Sequence, residues 1–163
     1  MLLLKYLTFG LSICTISWIV GIIGTVLLRR TDFYTRHLSH LNFLPGAALN
    51  RAIGLDLIKW VVIHTPLRFF NPGLKIAKRP DLAQLTQLRA EMTAAEIGHL
   101  VGFAFVVVFA VFFAIQGRIT FGLVIMLVNV LMNLYPSLLQ QANKRRMDPL
   151  IQRLQARAQA KIP

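Results

Sequence analysis

Glu96 and His99 are the residues whose types and spacing best suit acid–base chemistry. They are three residues apart, so on a helix they lie on the same face. The carboxylate could accept a hydrogen bond from one imidazole nitrogen and leave the other nitrogen to act as a base. Both stand at the start of a long apolar stretch. Ionisable groups at such a position are costly to bury, which makes them functional candidates.

Three stretches without Lys, Arg, Asp or Glu predict the elements that position these side chains. They cover residues 6–28, 97–116 and 119–139. At ~1.5 Å per residue, each is long enough to cross a hydrocarbon core about 30 Å thick. We therefore predict an all-α integral membrane protein with three transmembrane helices, forming a single domain over residues 1–163.

The last two predicted helices must form an antiparallel hairpin, because only Gly117 and Arg118 separate them. Reflecting the sequence about this turn, near residue 117 or 118, sets His99 opposite Pro136 and Glu96 opposite Leu139. Polar residues near the end of the third helix then come close to the Glu96–His99 pair. We expect one pocket that is surrounded by Glu96, His99, Asn133, Tyr135, Gln140 and Asn143.

The distribution of basic residues predicts the orientation in the membrane. The chain has eighteen Lys and Arg against six Asp and Glu, with a formal net charge of +12. All but Lys5 and Arg118 fall in residues 29–95 or after residue 140, which predicts that these segments are cytoplasmic. The amino terminus is then outside, and the carboxyl terminus, the basic tail 144–163 and the pocket are on the cytoplasmic side. Nucleic acid is not an expected partner, because the basic residues form no stripe on a soluble helix.

The long segment between the first two spans predicts one further membrane element. Residues 47–64 have apolar side chains at helical spacing, with Trp60 as an anchor, and are expected to form an amphipathic helix at the cytoplasmic interface. A fourth span is the less favoured alternative, because Asp56 and Lys59 would lie inside the membrane. Residues 68–80 are rich in turn formers. From Pro80 a helix is expected to continue into the second span.

Structural explanations for the two central residues stay open. Thr93-Ala-Ala-Glu96 matches a capping box, which would give Glu96 the purely structural role of starting a helix at Thr93. His99 could be an interfacial or packing residue. Glu-x-x-His is half of a di-iron helix motif, but the chain has one copy and too few further acids, so no metal is predicted.

The remaining polar residues have structural alternatives of the same kind. Asn129 and Asn133 could form hydrogen bonds between helices. Tyr135 could be an interfacial aromatic residue. The basic tail could bind anionic lipid headgroups without chemistry.

Two segments resemble the glycosyl-4,4'-diaponeurosporenoate acyltransferase family: EMTAAEIGHLVGF (91–103) and NLYPSLLQQANKRRM (133–147). The family pattern has Ala-Glu-x-x-His, then Asn-x-Tyr-Pro, then Gln-Arg-Tyr-Asn-Arg-x-Arg. The matching positions are Ala95, Glu96, His99, Asn133, Tyr135, Pro136, Gln140, Asn143 and Arg146. The departures are Gln141, Ala142 and Lys144, where the family has Arg, Tyr and Arg.

The resemblance implies a multi-pass acyltransferase of the bacterial cytoplasmic membrane that places a fatty acyl group on a lipid or glycolipid hydroxyl. His99 would be the base and Glu96 its orienting partner. Asn133, Tyr135, Gln140 and Asn143 would bind the substrate or the oxyanion, and Lys144, Arg145 and Arg146 the donor phosphates. The expected donor is acyl-CoA or an acyl carrier protein, with no bound cofactor. The alternatives are a non-enzymatic membrane subunit and a lipid-binding scaffold. Self-association stays open.

Overall fold

The computed structural model describes residues 1–41, 47–65 and 81–160, and within these ranges the chain is helical with no strand. The helices are α1 (Leu2–Leu28), α2 (Asp32–Arg36), α3 (Ala47–Ala52), α4 (Leu55–His64), α5 (Leu82–Ile115), α6 (Ile119–Asn129) and α7 (Tyr135–Gln159). A 3₁₀ turn covers Leu38–His40, and a π-helical segment, Val130–Leu134, joins α6 to α7. The predicted all-α class is confirmed.

Three helices are long and apolar enough to cross a membrane, as predicted. They are Leu2–Leu28, Leu82–Ile115 and Ile119–Gln159, the last running from α6 through α7. The direction in which they cross, with the amino terminus outside, stays a prediction. The turn-rich segment 68–80 lies outside the described residues.

The start of α5 excludes the capping-box explanation for Glu96. The Asp81 carboxylate accepts a hydrogen bond from Gln84 N at 2.7 Å, and Gln84 Oε1 accepts one from Asp81 N at 3.4 Å. This reciprocal pair caps the first turn of α5, directly after Pro80 in the sequence. Thr93 lies well inside α5 and donates to the Arg89 carbonyl at 3.0 Å. A helix start at Thr93 is therefore wrong, and the predicted continuous helix into the second span is confirmed.

The predicted single helix over 47–64 is divided into α3 and α4. Gly54 has φ +71°, a left-handed conformation that interrupts the helical hydrogen bonding and that glycine adopts without steric cost. α4 exposes Leu57, Trp60 and Ile63. These side chains fit the predicted interfacial role, but the position of α4 at a membrane stays a prediction.

The chain forms two compact units. The first consists of Met1–His40 and Ala95–Ser137, and the second of Leu41–Ala94 and Leu138–Pro163. α5 and α7 each contribute residues to both.

In the first unit, small residues allow α1 to pack closely against α5. A Cβ atom on Gly21 would lie 2.2 Å from the Gly98 carbonyl oxygen, and one on Gly102 would lie 3.0 Å from the Ser17 carbonyl oxygen. Rising residue numbers on α1 therefore meet falling numbers on α5, so the two helices are antiparallel. Close approach through small residues is the usual way in which membrane helices pack.

Aromatic residues join α1 to the α5–α6 turn at one end of this unit. Tyr6 stacks on Phe121 with ring centroids 4.4 Å apart, and the Arg118 guanidinium lies 5.0 Å from the Phe121 centroid. Gly117, with φ +78°, makes the turn. Lys5, next to Tyr6 in sequence, and Arg118 therefore belong to the same end of the first unit.

The predicted register of the hairpin is wrong by about one helical turn. A Cβ on Gly122 would lie 2.7 Å from the Ala110 carbonyl oxygen, and Asn129 Nδ2 donates to the Phe103 carbonyl at 3.0 Å. Both pairs reflect about residue 116 instead of 117 or 118. The register is set by the close contact at Gly122, which a reflection of the sequence does not include. His99 consequently lies beside Asn133 instead of Pro136.

The second unit is held by an apolar cluster between α5 and α7. Its buried members are Leu85, Met92, Met147 and Ile151. The Arg89 guanidinium forms an ion pair with Asp148 at 2.5 Å beside this cluster. Arg145 donates to Asn50 Oδ1 at 3.1 Å and so connects α7 to α3.

Candidate functional site

A π-helical segment and a proline shape the backbone of the site. Pro136 lacks an N–H, so it cannot form the α-helical hydrogen bond to the carbonyl of Met132, four residues earlier. The Trp18 indole N–H from α1 donates to that carbonyl at 3.4 Å. Tyr135 N instead bonds to the Val130 carbonyl, five residues earlier, as in a π-helix. Single π-helical turns inside α-helices occur frequently at functional sites.

Asn133 in this segment is the centre of a buried hydrogen-bond network. Its Nδ2 donates to Asn129 Oδ1 at 2.8 Å and to Ser17 Oγ at 3.0 Å. Ser17 Oγ in turn donates to the Cys14 carbonyl at 2.6 Å, while Asn129 Nδ2 donates to the Phe103 carbonyl on α5. Asn129, Asn133 and Ser17 are fully buried. Both asparagines thus form hydrogen bonds between helices, which is the structural alternative that the sequence left open for them.

His99 lies next to this network. Its imidazole interacts with the Asn133 side chain, and the residue is partly exposed. His99 Nδ1 and Asn133 Oδ1 are buried, and neither has a hydrogen-bond partner of standard geometry in the described part of the chain. Over the same ranges, no backbone carbonyl accepts a hydrogen bond from the imidazole. The ring thus lies beside a side-chain amide and is not fixed by the main chain.

Glu96 is fully buried, one turn before His99 on α5. The i, i+3 spacing on a continuous helix confirms that the two side chains share a face. Thr25 on α1 adds a buried hydroxyl, and its Oγ1 would lie 3.3 Å from a Cβ on Gly98, next to His99 in sequence. Tyr135 is partly buried in the same unit.

The other predicted site residues belong to the second unit. Asn143 and Lys144 are buried, with 3% of each side chain exposed. Gln140 is partly buried, Arg145 bonds to Asn50, and Arg146 is exposed. The structure brings together two of the predicted residues, His99 and Asn133, within the first unit. A single pocket around Glu96, His99, Asn133, Tyr135, Gln140 and Asn143 stays a prediction.

Ser17 and Trp18 on α1 are the residues that the sequence reasoning missed. Both lie in the middle of the first apolar stretch, at a distance in sequence from every other polar candidate. A signal was present: Ser17, Gly21 and Thr25 are spaced four residues apart, which marks one small-residue face of a helix. No sequence pattern indicates, however, that this face meets Asn133.

A metal centre finds no support in the described ranges. No group of three His, Cys, Asp or Glu side chains there is arranged to hold an ion. The chemistry that the first unit offers is that of an imidazole beside amide and hydroxyl groups.

These features define the class of the protein: an all-helical chain with three helices able to cross a membrane and a histidine set in a buried polar network. The sequence profile of glycosyl-4,4'-diaponeurosporenoate acyltransferase matches residues 30–153, and the chain belongs to this family. The family name denotes an acyltransferase of carotenoid glycolipid synthesis. No curated protein and no solved structure shows a significant match to the chain.

Proposed function

We propose that this chain is a membrane acyltransferase that moves a fatty acyl group from a thioester to a hydroxyl of a glycosylated lipid. The family name suggests glycosyl-4,4'-diaponeurosporenoate as the acceptor. The observation that carries the proposal is His99, a partly exposed imidazole beside Asn133 with no main-chain partner in the described ranges. Such a ring is available to a substrate hydroxyl.

His99 is the general base in this proposal. It removes the proton from the acceptor hydroxyl while the hydroxyl oxygen attacks the thioester carbonyl carbon. The tetrahedral intermediate collapses by breaking the carbon–sulfur bond. The leaving thiolate takes the proton from the imidazolium, which yields an ester and a free thiol. Glu96, buried on the same face of α5, supplies negative charge near the imidazolium.

The oxyanion needs hydrogen-bond donors, and Asn133 is a poor choice in this structure. Both hydrogens of its amide are directed at Asn129 and Ser17. We therefore assign Asn133 to His99, and Tyr135, two residues later and partly exposed, to the oxyanion. Gln140 stays a proposed second donor, and Asn143 a proposed substrate contact.

The donor phosphates, or the acidic face of a carrier protein, are proposed to bind the exposed basic side of α7. Of the three residues predicted for this role, Arg146 is exposed, while Lys144 is buried and Arg145 is bonded to Asn50. Arg153 and Arg157 are also exposed and lie on the same helical face as Arg146, at spacings of seven and four residues. We propose that this side of the protein is cytoplasmic and that the membrane is the bacterial inner membrane.

The experiment is acylation in cells that make glycosyl-4,4'-diaponeurosporenoate but not its acyl ester. Mass spectrometry of extracted lipids measures the ester. His99→Ala is expected to lower its formation by roughly 10²–10⁴-fold, the usual contribution of a general base. Glu96→Gln is expected to lower it less. His40→Ala is the matched control, because His40 is exposed and outside the network.

Wild-type levels of the ester with His99→Ala, at equal protein abundance, would sink the catalytic assignment. The competing function is a non-enzymatic membrane subunit, which the Asn129–Asn133–Ser17 network favours because it joins three helical segments. Lipidomics of a strain lacking the protein separates the two. Loss of one acylated lipid supports the enzyme and identifies the acceptor, and an unchanged lipid profile supports the subunit.

A further inference from the structure

We propose that Ser17 of α1 is a positioning residue for His99, acting through the side-chain amide of Asn133. The proposal deepens the catalytic role of His99 and rests on it. Its evidence is the directionality of the hydrogen bonds that hold Asn133.

Two backbone carbonyls fix that directionality, because a carbonyl can only accept. At one end, Phe103 accepts from Asn129, so Asn129 turns its NH₂ toward α5 and its Oδ1 toward Asn133. At the other end, the Cys14 carbonyl accepts the single hydroxyl hydrogen of Ser17. Ser17 Oγ can then only accept from Asn133. Both neighbours of Asn133 therefore require its NH₂.

The consequence is that the orientation of the Asn133 amide is determined. Its two hydrogens point at Asn129 and Ser17, so its carbonyl oxygen, which has no hydrogen bond of standard geometry within the described residues, is the group left for the adjacent His99. A carbonyl oxygen beside an imidazole accepts from the ring N–H and so selects which nitrogen carries the proton. The other nitrogen is then the one that can act as the base.

Ser17 lies outside the region that defines the family match, residues 30–153. α1, Leu2–Leu28, contributes it from the first transmembrane stretch, together with the Trp18 bond to the Met132 carbonyl. α1 is thus part of the site's positioning machinery as well as a membrane anchor.

The test uses NMR of ¹⁵N-histidine-labelled protein in detergent micelles, with a readout that does not require turnover. The chain has four histidines, and His99→Gln identifies the His99 signals. Ser17→Ala is expected to shift the imidazole nitrogen signals of His99, as is Asn133→Leu. Ser12→Ala is the matched control: Ser12 Oγ also donates to a main-chain carbonyl, that of Thr8 at 2.9 Å, but is exposed.

Kinetics give a second readout, with glycosyl-4,4'-diaponeurosporenoate and a fatty acyl-CoA as probe substrates. Ser17→Ala is expected to lower kcat roughly two- to tenfold, the equivalent of one hydrogen bond, with little change in KM. In the Asn133→Leu variant, adding Ser17→Ala should not lower kcat further, because the amide through which Ser17 acts on His99 is already absent. Asn129→Ala, which removes the other acceptor, provides a second variant if Ser17→Ala does not fold.

The outcomes separate this inference from the proposed function. His99 signals that shift with Ser17→Ala or Asn129→Ala, but not with Ser12→Ala, support the positioning role. This holds even if the wild-type protein transfers no acyl group, a result that would refute only the proposed function. Unchanged His99 signals with Ser17→Ala in folded protein overturn the positioning role even if the enzyme is active. The positioning role is also overturned if Ser17→Ala lowers kcat by the same factor in the wild-type protein and in the Asn133→Leu variant.

Discussion

Replacing Gly21 by Ala should separate α1 from α5 and dismantle the network at Asn133. The added Cβ would lie 2.2 Å from the Gly98 carbonyl oxygen and 2.9 Å from its carbonyl carbon. A close carbon–oxygen contact is about 3.3 Å, so the helices must move apart by roughly 1 Å. Both partners are backbone atoms, which no change of rotamer can move away.

A displacement of that size reaches Ser17, one turn from Gly21. The bond of 3.0 Å between Ser17 Oγ and Asn133 Nδ2 would lengthen to about 4 Å, beyond hydrogen-bonding distance. The cost of overpacking is about 1–3 kcal/mol, and an unsatisfied buried amide adds about 1–3 kcal/mol. The two costs add to about 2–6 kcal/mol, so at about 4 °C per kcal/mol we expect the unfolding temperature to fall by roughly 8–24 °C.

The chain contains a natural probe for this measurement. Cys14, its single cysteine, is fully buried on the same face of α1. A dye that becomes fluorescent on reaction with thiols therefore reports the release of α1 as detergent-solubilised protein is heated. Gly24→Ala is the matched control, because its Cβ would lie 2.8 Å from Val101 Cγ1, a methyl group that can rotate away. Equal melting temperatures for the Gly21→Ala and Gly24→Ala proteins would refute the steric reasoning.

Two further substitutions test other contacts. Trp18→Phe keeps an aromatic ring but removes the indole N–H that donates to the Met132 carbonyl, the acceptor that Pro136 cannot use. The same Cys14 assay should show a loss of stability of about 0.5–1.5 kcal/mol. An unchanged unfolding temperature would exclude a stabilising bond. Leu85→Ala, in the apolar cluster of the second unit, should lower the free energy of unfolding by about 2–5 kcal/mol, measured by chemical denaturation. Asp148→Asn should lower it by less than about 1 kcal/mol, because the ion pair with Arg89 is partly exposed. The reverse order would show that charge holds this unit together.

The spans were predictable from the sequence because membrane crossing requires long uncharged stretches, and those are visible in composition alone. The hairpin register was not, because it depends on one close approach, Gly122 against the Ala110 carbonyl. The break at Gly54 and the contribution of Ser17 were missed for similar reasons. The break depends on a local backbone conformation, and the contact of Ser17 with Asn133 joins segments that are distant in sequence, so periodicity alone indicates neither of them.

The buried polar atoms of the first unit bear on whether His99 is a packing residue. A network that only joined helices would be expected to satisfy all its members, because each unsatisfied buried group costs about 1–3 kcal/mol. Asn129 and Ser17 meet that expectation. Thr25 Oγ1, His99 Nδ1 and Asn133 Oδ1 have no hydrogen-bond partner of standard geometry among the described residues. Each such group in a native protein requires a specific explanation, and a catalytic role is one of them. The unsatisfied atoms include those of the His99–Asn133 pair, so the cost falls on the residues that the proposed chemistry uses.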